Sequence, residues 1–411
     1  MDIELRPITR DELPAFVRTT IWAFSDRVDE QRLELGWSTA ELDRTVAAFD
    51  DGEIVGTGRL YSLELTLPGG STLPVAAVSW IGVLPTHRRR RVLTGIMGRH
   101  LDDAVARGEA LAVLHASEGV IYRRFGYGVA SFSLGGRLER RHSAFLRPVP
   151  ETGRIRLVDA DEARKVFPDV FERARRQRPG AVSRADYWWE DQFFHVDKKK
   201  DEGAGFFVVH ENGDGAVDGF AAYRVKHLWQ DRVSQDVLEV EDLVTTTSDA
   251  RAVLWRYLCD VDLIDTITIE TCAVDEPLRW LLTEARRFQV DALGDNLWVR
   301  ILDVPAALRA RAYAVPGRVV LDVTDEFRPQ GAAAGRFALE VTEEGSVHVE
   351  PTTSAPDLSL AVTELGAAYL GGVSFASLAA GGLVREETPG AIARADLMFH
   401  TEPAPYAMTM F

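Results

Sequence analysis

Four consecutive arginines, residues 88–91, stand between two apolar stretches and are the clearest candidates for chemistry in the chain. Residues 78–83 are β-branched or aromatic enough for a buried strand, which Pro85 ends because proline has no N–H to donate. Apolar residues then recur at helical spacing over residues 92–101. A helix that begins at a strand end presents unpaired N–H groups and its positive dipole end, to which arginines add full charges. The pattern predicts a phosphate or pyrophosphate site.

A second stretch, residues 111–127, places a tyrosine after another predicted strand. A Ser117-Glu118-Gly119 turn follows the apolar run, and a short helix carrying Tyr122 is expected to end at Gly126. A phenol has an unperturbed pKa near 10, so Tyr122 is protonated at neutral pH and can give its proton to a stronger base. The alternative is a tyrosine packed in the core, with Tyr127 as the second candidate for an acid.

These residues resemble two motifs of the GNAT superfamily of N-acetyltransferases. The run Val83-x-Pro85-x-x-Arg88-Arg89-Arg90-Arg91-Val92-Leu93 is similar to the acyl-CoA pyrophosphate loop, although Arg91 and Leu93 stand where that loop has small residues. The segment Ile-Tyr-Arg-Arg-Phe-Gly-Tyr-Gly, residues 121–128, looks like the one whose tyrosine lies beside the thioester sulfur. Together with the Ala-Ser-Glu-Gly turn, the length of the chain and a C-terminal aromatic residue, this segment resembles the enhanced intracellular survival (Eis) family in particular.

The resemblance implies an α/β (α+β) fold with two tandem GNAT-like domains and a sterol-carrier-protein-like C-terminal domain. It also implies an acetyl-CoA-dependent transferase that assembles as a hexamer and acetylates amines, including aminoglycosides, with no metal. The implied catalytic residues are Tyr122 as general acid and the terminal carboxylate of Phe411 as general base. The implied cofactor-binding residues are Ile81, Gly82, Val83, Arg88, Arg89, Arg90, Arg91, Val92, Leu93, Thr94, Ser117 and Glu118, with the N–H of Val83 as the thioester carbonyl donor.

The acceptor side of the site is less sharply defined by the sequence. Phe24, Asp26 and Trp37 lie in the region that covers the acceptor cleft of GNAT proteins, and they are equally compatible with core packing. The apolar residues that precede Phe411 favour a docked C-terminus over an exposed one. An α-carboxylate has an unperturbed pKa near 3.5, which burial would raise toward that of a useful base. Met410 brings no second acid, which leaves the acceptor range open.

Composition limits the classes of function. The formal charge of −16 argues against nucleic-acid binding and favours a small cationic amine as substrate. A single basic cluster in an acidic chain also lacks the extended basic face of nucleic-acid-binding proteins. A non-catalytic acyl-CoA or lipid-binding regulator and a transferase acting on protein lysine remain as alternatives. With no signal peptide pattern and no run long enough to cross a membrane, the chain is expected to be cytoplasmic.

The expected domains cover residues 1–148, 149–298 and 299–411. The second domain repeats the order of hairpin, strand and helix, but its strand-to-helix junction at residues 245–249 has no arginine cluster, and Asp249 would repel phosphate. We therefore expect a duplicated fold without cofactor binding. The third domain alternates short strands and turns before two helices of small residues, and its interior is expected to be filled by Leu and Val rather than by a lipid. Cys259 and Cys272 are expected to be buried thiols.

Overall fold

Long runs of alternating and continuous apolar residues form two seven-stranded sheets, and a five-stranded sheet follows toward the C-terminus. The computed structural model describes residues 3–28, 36, 38–149, 153–191 and 204–411. In this part of the chain, no helix is both long and apolar enough to cross a membrane.

The described residues of the first part of the chain form a series of strands and helices. These are β1 (Glu4–Pro7), α1 (Leu13–Ala23), β2 (Thr45–Asp50), β3 (Glu53–Thr66), β4 (Thr72–Val83), α2 (Val92–Ala106), β5 (Leu111–Leu114), α3 (Gly119–Tyr122) and β6 (Gly128–Val129). The predicted order of strand, arginine loop and helix is confirmed. The strand is β4, a 3-10 turn at Pro85–His87 begins the loop, and the helix is α2. Strands β3 and β4 form the long antiparallel hairpin that leads into the loop.

The middle of the chain forms the second sheet and the helices that pack on it. Its elements are β7 (Phe132–Glu139), β8 (Arg154–Val158), α4 (Ala160–Arg175), α5 (Asp186–Trp189), β9 (Ala204–Glu211), β10 (Val217–Lys226), β11 (Trp229–Gln230), β12 (Val233–Ser234), β13 (Asp236–Thr245), α6 (Ser248–Asp260), β14 (Ile264–Ala273), α7 (Leu278–Leu281) and β15 (Gln289–Asp295). The sheet order is β15-β7-β14-β13-β10-β9-β8, and β11 and β12 form a separate small hairpin. Both cysteines are unpaired and buried, on α6 and β14.

The two large sheets exchange strands, which the sequence analysis did not foresee. The strand expected to close the first domain, near residues 130–138, is β7 of the second sheet, where it lies between β14 and β15. In return β16 (Trp298–Ile301), which was assigned to the start of the third domain, inserts between β5 and β6 of the first sheet. The expected boundaries at residues 148 and 298 therefore do not separate the sheets, because each sheet is completed by hydrogen bonds to a strand that is distant in sequence.

The C-terminal region forms a five-stranded sheet with four helices, as expected from its short strands. Its elements are α8 (Val304–Ala310), β17 (Gly317–Thr324), β18 (Gly335–Val341), β19 (Val347–Pro351), β20 (Leu358–Ala361), α9 (Val362–Ala368), α10 (Phe375–Ala380), β21 (Val384–Glu386) and α11 (Ala391–Phe399). The interior is packed with buried apolar side chains, including Val319, Leu321, Leu339, Leu358 and Leu360.

Helix α9 joins this region to the first sheet, so that the two share one hydrophobic core. The helix lies directly on β16 and β6, and a Cβ atom added to Gly366 would be 2.4 Å from the carbonyl oxygen of Val299. A Cβ atom on Gly128 would be 2.0 Å from the carbonyl oxygen of Thr363. Glycine at both positions is what allows the backbones to approach so closely. The C-terminal region is thereby held in a fixed position against the first sheet.

Candidate active site

The first sheet splits where β4 and β5 lie side by side. These strands pair in parallel only from Ala76 to Val78 on β4 and from Ala112 to Leu114 on β5. Beyond this point β4 continues to Val83, while β5 ends. The two strand ends therefore leave the edge of β4 open over residues 79–83, and the backbone groups on that edge are accessible to a ligand that enters the split.

Register shows which backbone groups face the split. The N–H of Leu84 donates to the carbonyl oxygen of Val55 at 3.0 Å, so the neighbouring pair of Val83 and Gly56 is a non-hydrogen-bonded antiparallel pair. The N–H of Val83 consequently points away from β3 and toward the split. A bulge at Trp80, whose φ is 56°, displaces the register of β4 just before this point. The geometry suits the carbonyl-donor role expected of Val83.

The loop after β4 prepares the start of helix α2 for an anion. Arg91 is the N-cap residue and adopts a left-handed conformation with φ of 63°, and no side chain caps the helix. The left-handed region favours glycine, which explains why the related loop pattern has a small residue at this position. Arg91 takes that conformation with its side chain exposed to solvent. The first N–H groups of α2 are thus left for a ligand, and phosphate is the ligand such a helix start favours.

A cavity of about 500 Å³ lies between the open edge of β4, the start of α2 and helix α3. Of the predicted cofactor-binding residues, those that line it are Ile81, Gly82, Val83, Arg88, Arg89, Arg91, Val92, Leu93, Thr94, Ser117 and Glu118. Arg90 is the exception, because it turns to Asp50, with Nη1 3.4 Å from Oδ2. The structure therefore brings nearly all of these residues around one space.

Tyr122 also lines the cavity and is suited to holding a proton there. Its side chain is 6% exposed, and burial, together with the nearby carboxylate of Glu118, raises the pKa of Tyr122 to about 12. The hydroxyl is consequently protonated throughout the neutral range. Tyr127, the second candidate, is fully buried, and its hydroxyl has no hydrogen-bond partner among the residues that the structure describes. Tyr127 is absent from the cavity lining, so the geometry favours Tyr122.

The expected acceptor residues have different positions. Phe24 is 55% exposed and lines the cavity, so the alternative that it belongs to the core is wrong. Asp26 is exposed and lies outside the cavity lining, with Oδ1 accepting a hydrogen bond from the N–H of Arg27 at 2.7 Å. Trp37 falls outside the described residues. Of the two described residues, Phe24 is placed at the cavity.

Comparison with known proteins identifies the fold and the family. Two models described as acetyltransferase (GNAT) domains match residues 4–130 and 180–301, and a sterol carrier protein domain matches residues 304–408. The N-acetyltransferase Eis of Mycobacterium tuberculosis is 33% identical over 419 residues, covering 98% of each chain. The chain belongs to the Eis family of GNAT N-acetyltransferases. It is accordingly an acetyltransferase, and its fold implies the use of acetyl-CoA and transfer to amines.

Further relatives agree with this assignment along the whole chain. An uncharacterized N-acetyltransferase of Streptomyces avermitilis is 38% identical over 418 residues, covering 100% of this chain and 99% of the relative. The crystal structure of Eis1 from Mycobacterium abscessus superposes with a TM-score of 0.87 and 37% identity, covering 99% of this chain and 100% of that one. The predicted order of two GNAT-like domains and a sterol-carrier-like domain is confirmed.

The C-terminal segment of this Eis-family chain reaches the end of strand β5. The rings of Phe411 and His115 have centroids 4.7 Å apart, and His115 lies just after β5 and two residues before Ser117. The two ring nitrogens of His115 lie 2.6 Å from the carbonyl oxygen of Asn296 and 3.0 Å from that of Thr409. The last residue is therefore docked beside the strand that leads to the cavity.

Sequence reasoning missed several residues at the site. His87, Ile121 and Arg124 line the cavity, and His115 contacts the C-terminal residue. Arg124 follows Tyr122 within the recognised segment, so its position there was the available signal. His115 gave no signal of its own, because its contacts with residues 296 and 409 depend on tertiary structure. Burial lowers the pKa of His115.

The second GNAT-like domain has a different junction at the corresponding strand and helix. Helix α6 begins after Thr247, whose side-chain oxygen accepts a hydrogen bond from the N–H of Ala250 at 3.2 Å. The hydroxyl of Thr247 donates to the carboxylate of Asp218 at 3.3 Å, and Asp249 lies in the first turn of the helix. A capped helix start surrounded by carboxylates does not favour phosphate. That this domain has lost cofactor binding stays a prediction.

Proposed function

We propose that this Eis-family enzyme transfers the acetyl group of acetyl-CoA directly to an amine of an aminoglycoside or a similar small polyamine-type acceptor. The observation that carries the proposal is the single cavity around the open edge of β4, the uncapped start of α2 and Tyr122. Acetyl-CoA supplies a thioester whose carbonyl carbon the amine attacks, so that a C–N bond forms, the C–S bond breaks and the CoA thiolate leaves.

The binding residues divide into backbone and side-chain groups. The N–H groups at the start of α2, in residues 92–94, would hold the pyrophosphate, and exposed arginines such as Arg88 and Arg89 would add long-range attraction. The N–H of Val83 would donate to the thioester oxygen, where negative charge develops. Ser117 and Glu118 line the cavity beside α3 and would lie along the pantetheine.

Two groups of the chain would move protons. Tyr122 would donate its hydroxyl proton to the leaving thiolate, because it lines the cavity and carries a proton at neutral pH. The terminal carboxylate of Phe411 would accept a proton from the ammonium group of the acceptor, which frees the neutral amine to attack. Its docking beside His115 supports this role, because it brings the end of the chain to the strand that leads to the cavity.

The class of acceptor is argued from the charge of the chain, and the assembly state is argued from resemblance. The net charge of −16 favours cationic amines through their local concentration near the surface. Met410 brings no acid next to the terminal carboxylate, so the negative charge of an amine site would come from Phe411 and from exposed groups such as Asp26. A homo-oligomer, a hexamer by resemblance, and a cytoplasmic location belong to the same proposal.

The experiment measures release of free CoA from acetyl-CoA with panels of aminoglycosides and polyamines. The intact chain is compared with a chain that lacks only Phe411, and acetyl-CoA binding is measured in both. We expect the shortened chain to bind acetyl-CoA normally and to lose at least about 100-fold in turnover, since a general base contributes at least this much. Equal turnover in both chains would refute the base assignment and keep the enzyme. Absence of turnover with every amine would refute the proposed acceptor class.

A further inference from the structure

The second sheet splits in the same manner as the first, but a different occupant enters the split. Strands β13 and β14 pair in parallel from Asp236 to Val240, and their ends diverge beyond this point. The C-terminal segment of the chain, residues 406–410, lies against these diverging ends and is named the tail. Only a small cavity of about 140 Å³ remains, and Ile269, Thr271 and Leu243 line it together with Tyr406, Met408 and Met410.

Arg184 makes polar contacts with two residues of this segment. Its Nη2 donates to the carbonyl oxygen of Met408 at 2.5 Å, and its Nε donates to the hydroxyl oxygen of Thr409 at 2.9 Å. Its third nitrogen, Nη1, donates to a carboxylate oxygen of Asp242 on β13 at 2.7 Å. The side chain is 2% exposed, so these bonds form away from water. Arg184 therefore ties two consecutive residues of the tail to the second sheet.

Two aromatic rings pack on the guanidinium of Arg184, and the indole of Trp188 donates a hydrogen bond to the tail. The guanidinium carbon of Arg184 lies 3.9 Å from the ring centroid of Phe171 and 4.0 Å from that of Trp188. The indole N–H of Trp188 donates to the carbonyl oxygen of Met410 at 2.8 Å. Arg184 and Trp188 thus give each of the three residues before Phe411 a hydrogen-bonding partner. The chain that leads to the last residue is thereby held in place.

We propose that Arg184 is a positioning residue for catalysis, and that the split of the second GNAT-like sheet serves as the seat of the C-terminal tail. This inference rests on the proposed function, in which the carboxylate of Phe411 is the general base. A base at the end of a chain is effective only when the chain end is held near its working position, because small displacements of a reacting group cost large factors in rate. Arg184 holds that position without touching substrate.

Arginine is the residue type that this arrangement requires. Its planar fork directs three donors to three oxygens at fixed angles, whereas lysine offers a single flexible ammonium group. The buried cation is compensated by Asp242 and by the aromatic faces on which it stacks. Lysine at this position could keep the ion pair with Asp242 but could not bond both tail residues in the same geometry.

The test compares Arg184→Met and Arg184→Lys with a matched control, Arg256→Met. Arg256 also bonds a carbonyl oxygen, that of Ser143, pairs with a carboxylate and stacks on an aromatic ring, but it contacts no tail residue. The measurements are hydrogen exchange of the C-terminal peptide by mass spectrometry, kcat for CoA release and Kd for acetyl-CoA. Each Arg184 variant is also made in the chain that lacks Phe411.

We expect Arg184→Met to speed amide exchange in the tail at least about tenfold, because local opening becomes easier. The kcat should fall about 10- to 100-fold with Kd unchanged, and Arg184→Lys should lie in between. Arg256→Met should match the wild type in all three measurements. In the chain lacking Phe411, Arg184→Met should cause no further loss, because both changes act through one group.

Three results would overturn the inference. Wild-type exchange of the tail in Arg184→Met would show that Arg184 does not hold it. A further loss of kcat in the chain lacking Phe411 would show that Arg184 acts through something other than the terminal residue. If removal of Phe411 costs nothing, the base assignment fails and the catalytic purpose of Arg184 fails with it, while the exchange measurement still decides whether Arg184 seats the tail.

Discussion

The two GNAT-like sheets of this chain contain the same split and use it in opposite ways. In the first, β4 and β5 diverge around a cavity that meets an uncapped helix start and exposed arginines. In the second, β13 and β14 diverge around the chain's own tail, and the adjoining helix is capped by Thr247. The backbone arrangement alone therefore does not determine a cofactor site. The side chains at the helix start and the occupant of the split determine whether each GNAT-like domain can bind a cofactor.

The largest effect on this comparison is expected from Tyr122→Phe, which removes the proposed general acid of the first split. The kcat should fall about 100-fold, the lower range for a missing general acid, because the leaving thiolate loses its proton donor. Binding of acetyl-CoA should be unchanged, since the ring remains in place. Steady-state kinetics and calorimetric titration measure the two quantities, and a kcat within a few fold of wild type would remove Tyr122 from the mechanism.

The matched control is Tyr127→Phe. The Tyr127 hydroxyl is buried without a partner in the described part of the chain, so its removal should leave kcat unchanged and should not lower stability. The pH profile gives a second check on Tyr122. Because its pKa is about 12, the acid form is present below that pH and is lost only above it. Tyr122 should therefore cause no alkaline decline of kcat below about pH 10.

An intermediate effect is expected from the arginines that distinguish the two helix starts. Arg88 lines the cavity and has an extended backbone with φ of −61°, so Arg88→Ala tests its charge without a change in backbone strain. We expect a loss of about fivefold in acetyl-CoA affinity that diminishes at high salt. Arg90→Ala is the control, because Arg90 turns to Asp50, and its loss should change affinity by less than about twofold. Equal losses in both variants would mean that the cluster acts only through its total charge.

The smallest effect is expected from Arg91→Gly. The left-handed backbone of Arg91 is one that glycine adopts without strain, and the Arg91 side chain is exposed. We expect the acetyl-CoA Kd to change by less than about threefold, because the N–H groups of α2, rather than this side chain, are proposed to hold the phosphates. A titration that shows a tenfold weaker Kd would instead assign the Arg91 guanidinium to the ligand.

The sequence was sufficient for the local parts of the site. Strand, loop and helix around residues 78–101 are short-range features, since apolar spacing, Pro85 and the arginines all lie within one window. The segment around Tyr122 was predicted for the same reason, and its turn at Gly126 adopts φ of 84°. The strands of the C-terminal region were also predicted closely, because turns with Gly, Pro and Thr separate them clearly.

The parts that escaped prediction depend on contacts between distant segments. Nothing in the composition of β7 or β16 states which sheet each will join, because each pairs with strands that are distant in sequence. Arg184 and His115 are ordinary residues in sequence, and their roles arise only when the tail folds back onto them. Phe24 was ambiguous because an aromatic residue near a helix end can be buried or exposed with equal ease.

The exchange of strands also sets an order of events during synthesis. Strand β5 ends at Leu114, but its neighbour β16 begins only at Trp298, so the first sheet cannot be completed until nearly all of the second domain has left the ribosome. Until then, the nascent chain carries an unfilled gap between β5 and β6, and such exposed edges attract other strands. In the second sheet, β7 is made first, but its neighbours β14 and β15 follow only at residues 264–273 and 289–295. Both sheets are therefore completed only when residues 289–301 have been made.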